Sequence, residues 1–208
     1  MTTRSADRAT PAVAQPARTA RQRARRRRIL DASTRLAAEG GFDAVQMREV
    51  AESAGVALGT LYRYFPSKIH LLVAVLHDQL EQLHATLRER PLTEHQPADR
   101  VVRTLKRAFR AHQREPRLAE AMMRALLFAD ASVGEEVAGV SRLTATLLMD
   151  ATGLPEEEAA RHLSAIRVIQ HTWHSTLLYW LSGGISLAQA HTDIETACGL
   201  LAGARPIE

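Results

Sequence analysis

Across most of this chain the large apolar residues recur at intervals of three and four. Leu72, Leu76, Leu80, Leu83 and Leu87 form one such series. Leu163, Ile166, Gln170, Trp173, Leu177 and Trp180 form a second, and Leu187, Ala190, Ile194, Ala197 and Leu201 a third. These intervals place side chains on one face of an α-helix, and no segment alternates as a half-buried strand would. The chain reads as all-α, with about nine helices.

Glycines and prolines divide the pattern. A first helix runs from Ile29 to about Glu39 and stops at Gly40-Gly41. Short helices over 46–54 and 58–65 flank a turn at Gly55, and Pro66-Ser67 introduces a long one. Pro91 and Pro97 bracket a loop. Further helices are expected at about 98–114, 117–130, 136–151, 155–182 and 186–203. Residues 1–20, rich in Ala, Thr, Pro and Arg without periodicity, read as a disordered tail. The expected organisation is then a helix-turn-helix unit over 21–67 and a helical body over 68–208.

Composition narrows the class. With 46% hydrophobic and 24% charged residues, the 208-residue chain can bury a core. No apolar run of about 18 residues offers a membrane span, and no apolar segment follows the N-terminal arginines as a secretory signal requires. Cys198 is the single cysteine, so no internal disulfide forms, and a reducing cytosol is the expected compartment. Charge is uneven. Residues 1–28 hold nine Arg and one acid, whereas the remainder is slightly acidic. A basic arm on an acidic body points to nucleic acid or an acidic surface. Arg25, Arg26, Arg27 and Arg28 are its densest part. They read as a flexible arm on DNA, or as a solvated charge run.

The stretch with most chemical content is Gln46 to Lys68, QMREVAESAGVALGTLYRYFPSK. Two short helices crossing steeply need small residues at their closest approach, and Ala51 and Gly55 supply them. Val50, Val56, Leu61 and Phe65 fill the space beneath. Leu58, Gly59, Thr60, Tyr62, Arg63 and Tyr64 remain as a face with hydroxyls, aromatic rings and a cation but no acid. Such a helix suits a DNA major groove, about 12 Å wide. Lys68, at the start of the next helix, is placed for a phosphate. Residue types alone leave open a plain helical corner with packing tyrosines.

The string GTLYRYFPSK, with VAESAGV upstream, resembles the TetR family of bacterial one-component repressors over about residues 25–75. The resemblance implies a three-helix DNA-binding head, a connecting helix, and a body that binds ligand and dimerises. It implies that Gln46 and Arg48 contact phosphate or a base edge. Thr60, Tyr62 and Tyr64 would place hydroxyls on phosphates, Leu58 and Arg63 would read sequence, Gly59 would allow close approach, and Lys68 would hold a phosphate. VQMREVA and EAMMRALLFADAS further resemble the sterol-catabolism repressors within that family. The partners so implied are a double-stranded DNA operator, a second copy of the chain and a small apolar effector, a steroid-derived acyl-CoA. A drug-like or fatty-acyl effector is the alternative.

Met122, Met123, Leu126, Trp173, Leu177 and Trp180 are the apolar stock for an effector cavity, or else ordinary core. The seams containing Leu163, Ile166, Leu187, Ala190, Ile194, Ala197 and Leu201 suit a four-helix bundle with a two-fold mate, or packing within their own body. His162, His171, His174 and His191 include i, i+3 and i, i+4 partners but lack a third ligand at fixed spacing. No metal and no cofactor are expected. Without G-x-S-x-G, a P-loop or a dinucleotide fingerprint, no enzyme is expected either.

Overall fold

The computed structural model describes residues 14–90 and 93–203. Its helices are α1 (Ala14–Ala44), α2 (Met47–Ala54), α3 (Leu58–Tyr64), α4 (Lys68–Glu89) and α5 (Pro97–Arg114). They continue as α6 (Pro116–Leu127), α7 (Gly134–Thr152), α8 (Glu156–Ala160), α9 (Leu163–Leu181) and α10 (Leu187–Gly203). A single 3₁₀ turn, Ala131–Val133, precedes α7, and there is no strand among the described residues. The all-α expectation is met.

The helix expected over 155–182 is two. Arg161 N–H donates to the Glu158 carbonyl and His162 N–H to that of Ala159, so hydrogen bonding tightens to i−3 and the axis breaks between α8 and α9. The expected count of nine thus becomes ten α-helices among the described residues. The tail is a second correction. Residues 14–20, expected to be disordered, belong to α1, while residues 1–13 lie outside the described residues.

Helix α1 is kinked at Gly41 (φ 71°, ψ −161°), three residues before its end, in a conformation open essentially only to glycine. A Cβ there would also meet the Glu120 carboxylate at 3.2 Å, so Gly41 lets α6 approach α1 closely. Ser67 caps α4, accepting from the His70 N–H. Over 22 residues α4 spans about 33 Å and links two apolar clusters. The first holds Ile29, Leu30, Val50, Leu61, Leu71 and Leu72 and continues into α6 and α7 through Ala121, Met122 and Val140. The second holds Val101, Leu105, Phe109, Leu148, Ile169 and Leu177. Leu126 packs against both.

Candidate DNA-binding face and effector cavity

Helices α2 and α3 meet through a Schellman closure at Gly55. Gly55 adopts φ 64° and ψ 43°, its N–H bonds Glu52 O, and Val56 N–H bonds Ala51 O. Val50, Ala51, Ala54 and Leu61 are buried beneath the turn, which fixes the angle of α3. Gly59, Tyr62 and Arg63 are exposed on α3, with Thr60 half-buried beside them. A Cβ at Gly59 would meet nothing within 4 Å. Gly59 is the second residue of α3, and no packing contact within the fold requires a glycine there. Gln46 and Arg48 stand at the entry to α2, both exposed, and the Gln46 side chain makes no capping bond.

Three of the expected DNA contacts are drawn partly into the protein. Leu58 and Tyr64 are half-buried and pack on the head core. The Lys68 ammonium sits 4.0 Å from the centre of the Phe42 ring, and burial pushes its pKa below the ordinary value.

The arginine run departs further from expectation. It lies on a helix, so it is not a flexible arm. Arg27 bonds Asp31 at 2.9 Å and the nearly buried Asp78 of α4 at 3.2 Å. Arg28 donates to Ala54 O, one of the free carbonyls at the end of α2. Arg26 lies 5.8 Å from the Phe65 ring centre, and Arg25 is half-buried. Arg21 and Arg23, one turn earlier, are exposed.

The body holds a partly open cavity of about 810 Å³ bordered by α4, α5, α6, α7 and α9. Met122, Met123, Trp173 and Leu177 border it, together with Leu147 and Leu148. Leu126 and Trp180 do not. Leu126 joins the two cores, and Trp180 packs against Phe109 with ring centres 4.9 Å apart and planes tilted by 59°. The sequence reading missed the cavity's polar rim. Arg103, Arg107, Arg110 and Arg114 of α5 and Arg90 after α4 all border it. Their spacing of four, three and four puts the α5 arginines on one stripe, a signal that was present in the sequence. Of these, Arg103 has a carboxylate partner, Glu94 at 2.7 Å.

Helix α6 touches both regions. Leu118, Ala119, Met122 and Met123 border the cavity. On its other side Arg117 donates to Glu39 O, Glu120 accepts from Phe42 N–H, and Arg124 bonds Asp43. Cavity and head are therefore two faces of one twelve-residue helix.

The expected dimer seam faces inward. Ile166, Ala190, Ile194, Ala197 and Leu201 are buried in the chain's own core, whereas Leu163 and Leu187 are exposed. The outward faces of α9 and α10 carry Val168, Tyr179 and Leu200 instead. The histidines are also separated: His174 borders the cavity, His171 is exposed, and His191 packs edge-on to Phe109. Among the described residues no group of three or more His, Cys, Asp or Glu is placed to hold a metal ion. Burial pushes the Cys198 thiol up to about 12, so it is not a nucleophile near neutral pH.

Residues 29–75 match the family described as bacterial regulatory proteins, tetR family, and residues 95–201 match the tetracyclin repressor-like C-terminal domain. The HTH-type transcriptional repressor KstR of Rhodococcus jostii is 44% identical over 182 residues, covering 88% of this chain and 84% of that protein. The chain belongs to the TetR family. A TetR transcriptional regulator from Rhodococcus sp. RHA1 superposes with a TM-score of 0.79 at 39% identity, over 87% of this chain and 97% of its own. FadR from Bacillus subtilis, solved with stearoyl-CoA, shares the fold with a TM-score of 0.60 at 19% identity, over 87% and 98% of the two chains.

Proposed function

We propose that the protein is a homodimeric KstR-type repressor of sterol or lipid catabolism genes, released from a near-palindromic operator by a steroid-derived acyl-CoA. The observation that carries this reading is the joining of an apolar cavity to an arginine rim. A volume of about 810 Å³ lies in the range of ligand sites. Its wall of Met, Leu and Trp suits a fused-ring or acyl body. Guanidinium groups suit the phosphates of coenzyme A, because planar N–H pairs bond phosphate oxygens in two places. A free sterol would supply no anionic group for Arg107, Arg110 and Arg114. FadR shows that a fold of this kind holds an acyl-CoA.

In this reading Tyr62, Thr60, Arg48 and Gln46 position the head on phosphates, Arg63 reads bases, and exposed Arg21 and Arg23 extend the phosphate contacts. Two heads occupy successive major grooves about 34 Å apart. The outward faces of α9 and α10, with Val168, Tyr179 and Leu200, form the two-fold interface. No residue has a catalytic role, and the chain works in the cytoplasm. Effector binding moves α6, and the Arg117, Glu120 and Arg124 contacts carry that movement to the end of α1. The shift in DNA affinity is bounded by the effector's differential affinity for the two states.

The test is to select duplexes from a random library with the purified protein and then titrate the complex at fixed salt. The titrants are a cholesterol-derived acyl-CoA, the corresponding free acid and stearoyl-CoA. Release by the steroid thioester alone is the expected result. Release by stearoyl-CoA alone assigns the protein to a fatty-acyl operon. Failure to enrich any duplex overturns the repressor reading.

A further inference from the structure

Phe42, in the last turn of α1 beyond the Gly41 kink, is the point where three helices meet. Its backbone N–H donates to the Glu120 carboxylate of α6 at 3.3 Å. The Arg124 guanidinium, one turn further along α6, lies 4.4 Å from the centre of the Phe42 ring. The Phe128 ring, just past the end of α6, meets that ring edge-on with centres 5.8 Å apart. The Lys68 ammonium, at the start of α4, lies 4.0 Å from the same ring centre. Both cations are within the distance, about 6 Å, at which an aromatic face attracts positive charge. Phe42 is only half-buried against the head core and Phe128 is exposed, so burial explains little of this grouping.

Lys68 is one of two lysines in the chain, and the other, Lys106, pairs with Glu195 of α10. A lysine stem is among the most flexible of side chains. A contact that fixes it beforehand lowers the entropy lost when its ammonium meets a phosphate. The ring engages one side of the ammonium, and Lys68 is half-buried rather than buried, so donors remain for an anion. Electrostatics lead to the same helix. Asp43 and Glu120 favour the charged amine and Arg124 opposes it, and two of these three groups belong to α6. Arg124 also bonds Asp43 at 3.3 Å and Glu120 at 3.2 Å. A displacement of α6 therefore disturbs the Phe42 backbone bond, its ring contact and the charges around Lys68 together.

We propose that Phe42 is a positioning residue for DNA binding: held by Glu120 and Arg124 of α6, it presents Lys68 to an operator phosphate, and it withdraws that contact when α6 moves. This rests on the repressor reading for the movement of α6 and adds the side chain through which the movement reaches DNA. The contact is made to the phosphate backbone, so it changes affinity for every duplex alike and leaves the preferred sequence unaltered. The bond from Arg117 to Glu39 O ties α6 to α1 as a body, whereas Phe42 acts on one cation.

The experiment uses the full-length protein, its selected duplex and an unrelated duplex. Binding is measured for the wild type, Phe42→Leu, Phe42→Tyr, Arg124→Ala, Lys68→Ala and the double variant Phe42→Leu with Lys68→Ala. Phe42→Leu and Arg124→Ala should each weaken binding to both duplexes about fivefold, and Phe42→Tyr, which keeps an aromatic face, should bind nearly as the wild type does. Once Lys68 is alanine, Phe42→Leu should cost nothing further. A loss of equal size with and without Lys68 would mark a merely structural role and overturn the proposal, as would tighter binding by Phe42→Leu. A second readout needs no variant. With labelled lysine, the wild-type Lys68 ε-methylene resonance should be shifted upfield by the ring, with Lys106 as reference, and should return toward its ordinary position when a cholesterol-derived acyl-CoA releases the operator. A Lys68 signal at the ordinary position, or one that stays fixed while the operator is released, overturns the proposal. If the thioester changes neither the complex nor the signal, the effector reading fails, and the binding cycle, run without effector, decides this one. Failure of the wild type to bind either duplex would overturn both.

Discussion

The chain carries two arrays of arginine, and they are used in opposite ways. In α1, Arg25 to Arg28 are contiguous and conspicuous, yet Arg27 and Arg28 are committed to holding the head together. Arg27 neutralises a nearly buried carboxylate 51 residues away, and Arg28 closes the end of α2. In α5, Arg103, Arg107, Arg110 and Arg114 are dispersed among apolar residues and border the cavity. Density of charge along a sequence says little about which charges remain available. Availability depends on what the fold brings opposite them, and of these two helices only α5 faces a space large enough for a ligand.

That contrast can be broken by mutation. The largest effect is expected from Arg107→Ala with Arg110→Ala. Removing two charge-assisted hydrogen bonds should weaken acyl-CoA binding by more than about 100-fold, on the scale of roughly 1.5–3 kcal/mol for each, with operator affinity in the absence of effector unchanged. Calorimetry and an operator-binding assay on the same protein check both halves. Arg27→Ala should act on folding instead. It leaves the Asp78 carboxylate short of a partner, and urea denaturation should show a loss of about 1–3 kcal/mol. Adding Asp78→Asn should recover part of that loss. If Arg27→Ala only weakens DNA binding, the two arrays are not used as described.

On the DNA face, Tyr62→Phe should weaken binding to all duplexes alike by roughly 1 kcal/mol, whereas Arg63→Ala should change the selected motif. The smallest effect belongs to Arg21→Ala and Arg23→Ala. Folding stability should be unaltered, and the log–log salt slope of operator binding should fall by about 0.9 for each phosphate left without its arginine.

The cavity histidines give the comparison a pH dimension. His112 stays neutral in the folded protein down to about 4, from an ordinary value of 6.5. The unfolded chain therefore takes up this proton first as pH falls. Stability present above about pH 6.5 should decline toward pH 4, by up to about 3 kcal/mol from this residue. His112→Leu should flatten the decline over that range in thermal unfolding. An unchanged acid profile would show that the ring is not screened from water.

The head was legible in the sequence because its determinants are local. Ala51, Gly55, Gly59 and Phe65 lie within fifteen residues, and each has a short-range reason for its identity. The seams of α9 and α10 were legible as helices but not as surfaces, since a three-four spacing marks a buried stripe without naming what buries it. Ile166 and Ile194 face their own core. The break between α8 and α9 carries no Gly or Pro and left no local mark. The cavity is set by packing between helices distant in sequence. Met122 and Trp173 were identifiable only as apolar stock, and the role of α6 in joining cavity to head depends on Arg117, Glu120 and Arg124 meeting the end of α1, which no local pattern encodes.

The central claim is that cavity and DNA-binding face share one equilibrium. Linkage makes this testable, because the effector must lower operator affinity by the same factor by which operator lowers effector affinity. The direct measurement is the Kd of the steroid acyl-CoA for the dimer, alone and saturated with its selected operator. The account predicts weaker thioester binding on the operator, by the same factor as the thioester weakens operator binding. Equal thioester affinity in the two states would show that the cavity and the head do not communicate.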